Sequence, residues 1–271
     1  MSRRFPARRL LNIVLHPHHH LFNPWKFACN ICGKRWGFVC DLPQDRYIRK
    51  CVYCRSVPKL RAIVQAIEDY SGKSLHQHIL DRAEVYEFTT TSAICRRYLG
   101  RPHYTCSGYF WDKPFGVELR PGVWNQDCQR LSFPDARFDI VISSEIMEHV
   151  RNPWLGFREI RRVLKPGGIH VFTIPYREDR LTTPRVDISG EHDVYLLPKQ
   201  YHLDPYRTED SLVYTDFGRD LPDLLRPLHF DTTLLRVQHT TFDIQDDLRP
   251  VTVFVSKAVE HADPDRRAST R

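Results

Sequence analysis

One short stretch, Phe138-Asp-Ile-Val-Ile-Ser-Ser144, is almost continuously apolar. A strand with one wet face would alternate, so this run predicts a central strand buried on both sides. Asn152-Pro153 then supplies a cap and a proline in the first helical turn, where its missing N–H costs nothing. Trp154, Phe157, Ile160, Val163 and Leu164 recur at helical spacing, with Arg158, Arg161 and Arg162 on the opposite side. Lys165-Pro-Gly-Gly168 ends that helix, and residues 169–174 predict the next strand. Upstream, Leu60, Ile63, Val64 and Ile67 predict a helix from Pro58 to Gly72. Shorter strands are expected at 83–88, 104–107 and 123–126. Two final strands are expected at 232–237 and 251–256, after a helix around 220–228. Strands alternating with helices imply right-handed crossovers and a mostly parallel sheet covered on both faces.

Four of the eight cysteines fall in two tight pairs, Cys29-Asn-Ile-Cys32 and Cys51-Val-Tyr-Cys54, with 18 residues between them. Two residues between cysteines allow a knuckle turn that aims both sulfurs at one ion. Two knuckles supply four thiolates in a closed tetrahedron, the set that suits a structural Zn²⁺. Gly33 directly after the first pair permits the positive φ such a turn needs. Cys40, Cys95, Cys106 and Cys128 are scattered and read as packing residues, and the histidines among residues 16–20 as surface.

Charge changes the picture at one end only. Residues 1–60 hold 12 Lys/Arg against 2 Asp/Glu, an excess of +10; the remainder holds 28 against 31, which brings the whole chain to +7. Basicity therefore belongs to the front of the molecule, where an arm over residues 1–25 can meet RNA, an acidic surface or simply solvent. No apolar run approaches the roughly 20 residues a membrane span needs. Arg-rich residues 3–9 before a short apolar run make a poor secretory signal, so a cytoplasmic protein with reduced thiols is expected.

Residues 127–141, Asp-Cys-Gln-Arg-Leu-Ser-Phe-Pro-Asp-Ala-Arg-Phe-Asp-Ile-Val, are followed by Glu148-His-Val150 and by Arg158-Glu-Ile-Arg-Arg-Val-Leu-Lys-Pro-Gly-Gly168. In order and distance these blocks resemble class I S-adenosylmethionine-dependent methyltransferases of the ubiquinone/menaquinone-biosynthesis-like type, densely over 127–176 and loosely elsewhere. The resemblance implies an α/β, Rossmann-like seven-stranded sheet with helices on both faces and the last strand inserted antiparallel. The implied organisation is a zinc-ribbon-like module at 26–58, a methyltransferase domain at 59–258 with an insertion at 177–218, and a tail at 259–271. It implies S-adenosylmethionine as cofactor, held by Asp127 and the Cys128 backbone at the adenine, and by Glu87, Thr89, Thr91 and Ser144 along the strand ends. Glu148 and His149 are its candidate acid/base pair.

Two positions depart from the family pattern. The turn after the first strand reads Glu87-Phe-Thr-Thr-Thr-Ser-Ala93 with no glycine, and Ser107-Gly108 stands where an acid usually meets the ribose. The insertion carries His192, Tyr195, Tyr201, His202, Asp204, Tyr206 and Tyr214, a mixture that suits a small-molecule or glycan acceptor. Two other readings stand beside methyl transfer to such an acceptor. One is an RNA methyltransferase that uses the cysteine module and basic arm; the other is a non-catalytic scaffold that kept the fold.

Overall fold

The structure, a computed structural model, describes residues 29–34, 38–41, 48–51, 53–202, 211–237 and 250–260. The basic arm, the histidines among 16–20, Asp204, Tyr206 and the tail beyond residue 260 lie outside these residues.

A two-stranded antiparallel ribbon, β1 (Phe38–Asp41) and β2 (Ile48–Cys51), separates the two cysteine knuckles. Helix α1 (Pro58–Ser71) follows, ended by Gly72 at φ +72°, whose N–H caps Glu68 O at 2.8 Å. Helix α2 (Leu75–Leu80) is capped by Ser74, and α3 (Ala93–Tyr98) by Ser92, which accepts from Cys95 N at 2.8 Å. Between them runs β3 (Val85–Glu87), and after them β4 (Tyr104–Gly108), β5 (Val117–Arg120), β6 (Val123–Asn125) and β7 (Phe138–Ser144). Helix α4 (Pro153–Val163), capped by Asn152, leads into β8 (Leu164–Thr173). Beyond the insertion come α5 (Leu221–Leu225), β9 (Phe230–Val237) and β10 (Val251–Ala258).

The main sheet has the order β9-β10-β8-β7-β3-β4-β6-β5. Strands β6, β4, β3, β7 and β8 are parallel. The last strand, β10, lies between β8 and β9 and is antiparallel to both, with Phe254 opposite Phe172. These seven strands form a Rossmann-like sheet with its last strand inserted antiparallel, as the resemblance implied. An eighth strand, β5, is added antiparallel at its edge. Sequence patterning missed β5 because it is only four residues long and largely exposed, although Val117 and Leu119 alternate with Glu118 and Arg120.

The Lys165-Pro-Gly-Gly168 turn behaves differently from expectation. It lies inside β8, because α4 stops at Val163 and Leu164 already pairs with Phe138. Gly167 takes φ +78°, and a Cβ on Gly168 would sit 3.0 Å from Asp139 O. Glycine thus lets the chain leave the helix and lie directly against β7.

Side chains divide strictly by face. Val85, Ile140, Ile142, Ile169, Val171, Val253 and Val255 meet α1, α2 and α3 on one side. Tyr86, Val141, Phe172 and Phe254 meet α4 and α5 on the other, through Phe157, Ile160, Leu221 and Leu225. Cys29, Ile31 and Cys51 belong to the first core, so the cysteine knuckles pack on the same helices as the sheet.

His170 is buried among aromatics on the second face, stacked on Phe172 with centroids 4.3 Å apart, its Nε2 2.9 Å from Ser143 Oγ. Burial pushes its pKa down to about 3. Since the unfolded imidazole titrates near 6.5, acid favours the unfolded chain across that window. Wild-type protein should lose stability relative to His170→Leu on acidification, by about 3 kcal/mol at about pH 4. Denaturant melts of both proteins at several pH values test this; parallel curves would contradict it.

Candidate functional site

The four paired cysteines come together. Their sulfurs all lie within 4.8 Å of one another, Cys29 to Cys54 at 3.7 Å and Cys32 to Cys51 at 3.8 Å. Tetrahedral Zn–S bonds of roughly 2.3 Å put sulfurs about 3.8 Å apart, so this donor set fits that ion. The two knuckles are built alike. Gly33 N–H donates to Cys29 O and Arg55 N–H to Cys51 O; Cys29 and Cys51 N–H donate to Lys34 and Ser56 O. Gly33 (φ +72°) and Arg55 (φ +58°) occupy the same left-handed turn position. The second knuckle is tied to the main domain by Arg96, which donates to Cys54 O at 2.8 Å and to Thr91 O.

Thr91 belongs to the turn after β3, at the C-terminal edge of the parallel strands, where open α/β sheets bind ligands. No residue from 88 to 92 takes positive φ, so threonine and serine hold this turn without the conformations that demand glycine. Thr89 is partly buried and Thr91 exposed. Glu87 is placed beneath the turn, 1% exposed, accepting from the Tyr104 hydroxyl at one oxygen and lacking a hydrogen bond at Oε1. Burial pushes its carboxyl up to about 7. One strand over, Ser107 accepts or donates to the Tyr86 hydroxyl at 2.6 Å, and fully buried Asn125 ties down the following loop through the carbonyls of Phe110, Lys113 and Pro114.

Asp127 follows β6 and is partly buried; its Oδ1 accepts from Gln129 N at 2.9 Å. Cys128 is buried, its sulfur facing Gly156. Ser144 closes β7 with its hydroxyl 2.9 Å from Thr173 Oγ1. Glu145 then turns to φ +54° and pairs with Lys59 at 2.6 Å. A non-glycine residue in that conformation at a strand end is a common mark of functional geometry.

The 3₁₀ turn Met147–His149 carries the acid/base candidates. Glu148 is 1% exposed and neither carboxylate oxygen has a hydrogen bond. Burial, with the Glu145 charge beside it, pushes its carboxyl up to about 8. His149 Nδ1 lies 2.9 Å from Leu212 O, so Nδ1 bears the hydrogen and Nε2 faces Glu148 Oε1 at 3.5 Å.

Leu212 belongs to the insertion, which is ordered over its described parts. Phe217 pairs beside Tyr176, Thr183–Pro184 runs antiparallel to 215–216, and Tyr201–His202 pairs with Ser211–Leu212. Tyr214 N–H donates to Glu148 O at 2.7 Å. Here the structure adds what sequence did not assign. His202 Nδ1 lies 3.9 Å from Glu148 Oε1, with the His149 and His202 rings at 87° and 5.0 Å. No spacing rule joins residues so far apart; only the folding of the insertion onto the Met147–His149 turn does. Tyr195 and Tyr201 are exposed, and so is His192.

Residues 113–172 match a family described as a methyltransferase domain. No curated protein matches the chain. Among solved structures, a chain from a Haloferax volcanii complex containing the Trm112 methyltransferase activator is 16% identical, with TM-score 0.42, covering 72% of this chain and 93% of that one. A Burkholderia thailandensis 1,6-didemethyltoxoflavin-N1-methyltransferase with bound S-adenosylhomocysteine is 14% identical, TM-score 0.42, over 74% and 78%. A Mesorhizobium loti S-adenosylmethionine-dependent methyltransferase is 15% identical, TM-score 0.40, over 65% and 90%.

The buried Glu87 carries a consequence for stability. Its folded pKa near 7 exceeds the ordinary 4.5, so the native state holds a proton that the unfolded chain has lost. Stability from this group is full below about pH 4.5 and falls as pH rises toward 7. Glu87→Gln should remove that fall, gaining about 3 kcal/mol on wild type between those limits. Equal pH slopes in the two proteins would show that Glu87 is not so buried.

Proposed function

We propose that this chain is an S-adenosylmethionine-dependent methyltransferase acting on a small-molecule or glycan acceptor, with a structural Zn²⁺ in its four-cysteine module. The observation that carries the reading is where the methyltransferase-matched segment sits. It contributes β6, β7 and β8, and its strand ends present Asp127, Cys128, Ser144 and Glu145 at one edge of the sheet.

Asp127 would accept the adenine amino hydrogens, the Cys128 backbone would line the same ring, and Thr89 and Thr91 would offer hydroxyls to the amino-acid end. Ser144, at the end of β7, would complete this set. Bound S-adenosylmethionine supplies a methyl group on a sulfonium that is already a good leaving group. The protein's task is then mainly proximity and alignment. A base is needed only for an acceptor still protonated at neutral pH, and Glu148 and His149 would be the candidates for that role. The described parts of the insertion, resting on Glu148 through Tyr214 and on His149 through Leu212, support the reading of an acceptor pocket on this side.

Two measurements test the reading. Calorimetry with S-adenosylmethionine should show binding, and Asp127→Ala should weaken it by the 1.5–3 kcal/mol of about one charge-assisted hydrogen bond, roughly ten- to over a hundredfold. Unchanged affinity would remove Asp127 from the site, and no binding by folded wild type would favour a scaffold. Purified protein should also carry about one sulfur-bound Zn per chain, lost in Cys51→Ser along with protease resistance around the knuckles. A Cys51→Ser protein with full metal content and wild-type stability would refute the zinc assignment.

A further inference from the structure

We propose that Glu148, His149 and His202 form a second cation site, a two-histidine, one-carboxylate centre for a divalent transition metal, distinct from the four-cysteine module. One ligand atom from each of the three lies within 4.8 Å of the others. Oε1 of Glu148 is the common point, 3.5 Å from His149 Nε2 and 3.9 Å from His202 Nδ1.

The carboxylate is the independent pointer to a ligand. It is 1% exposed and neither oxygen has a hydrogen bond. A buried polar group left without a partner costs several kcal/mol, which a bound cation would offset. The nearby Lys59 ammonium is committed to Glu145 at 2.6 Å.

The imidazoles are oriented as metal-binding histidines are, by a partner on the far ring nitrogen. For His149 that partner is Leu212 O, which fixes the hydrogen on Nδ1 and the lone pair on Nε2, toward Glu148. For His202 the facing group is the Gln200 amide nitrogen, 3.3 Å from Nε2. Exchanging that amide's oxygen and nitrogen, which are assigned by such networks, would let the oxygen accept from Nε2–H and leave the Nδ1 lone pair facing Glu148. Gln200, His202 and Leu212 all come from the insertion, so its folding assembles the site.

Two neutral imidazoles and a carboxylate suit Zn²⁺, Fe²⁺ or Co²⁺ and leave a coordination position for an oxygen ligand. Use of that position by a hydroxyl-bearing acceptor rests on the methyltransferase reading; metal binding itself does not.

The test is Co²⁺ titration of the full chain with Zn²⁺ kept in the cysteine site. One further equivalent should bind, with visible d–d bands and no thiolate-to-cobalt charge transfer, and should raise the melting temperature. His202→Ala and Glu148→Gln should each weaken binding at least tenfold. Circular dichroism of each variant checks folding, and the wild-type melting shift stands without them. Absence of a second equivalent, thiolate charge transfer in its spectrum, or undiminished binding in folded variants would overturn the site. Parallel calorimetry with S-adenosylmethionine separates the two ideas. Cofactor binding without the cobalt equivalent refutes this site alone; cobalt binding without cofactor refutes the methyltransferase reading alone.

Discussion

Burial of β7 on both faces is the constraint from which the rest follows. Ile140 and Ile142 are sealed under one helical layer and Val141 under the other, which leaves that strand no polar side chain along its middle. Chemistry can emerge only where the strand ends, at Ser144 and the turn after it. Parallel neighbours β3, β4, β6 and β8 end at the same edge, so polar groups that are scattered in sequence become neighbours there. The antiparallel β10 completes the sheet without adding to that edge.

Two outlying parts lean on the same edge from opposite sides. The cysteine module reaches it through Arg96, which holds Cys54 O and Thr91 O with one guanidinium. The insertion reaches it through Leu212 and Tyr214, which fix the ring of His149 and the backbone of Glu148. A metal ordering the knuckles would therefore stiffen the turn after β3, although it lies outside the sheet.

Much of the architecture was legible in the sequence because it depends on period and punctuation. The apolar run at 138–144, the Asn152-Pro153 start of α4 and the Gly72 end of α1 each reappear at their expected residues. The Cys-x-x-Cys pairs were equally legible, since knuckle geometry is a matter of local spacing. What escaped depended on long-range placement. The edge strand β5 is a single short alternation of four largely exposed residues, and Glu87 gives no sign in sequence that Tyr104 covers it. His202 was one polar residue among several in the insertion. Its meeting with Glu148 is decided by how 201–202 and 211–212 pair and where that hairpin rests.

In the proposed reading, the strand ends around Asp127 and the turn after β3 form a cofactor site. A crystal structure of the full chain with S-adenosylhomocysteine tests this most directly. The adenine amino group is expected against Asp127 and the Cys128 backbone, with the amino-acid end beside Thr89 and Thr91. A ligand bound elsewhere on the protein, or crystals that exclude it at saturating concentration, would contradict the claim.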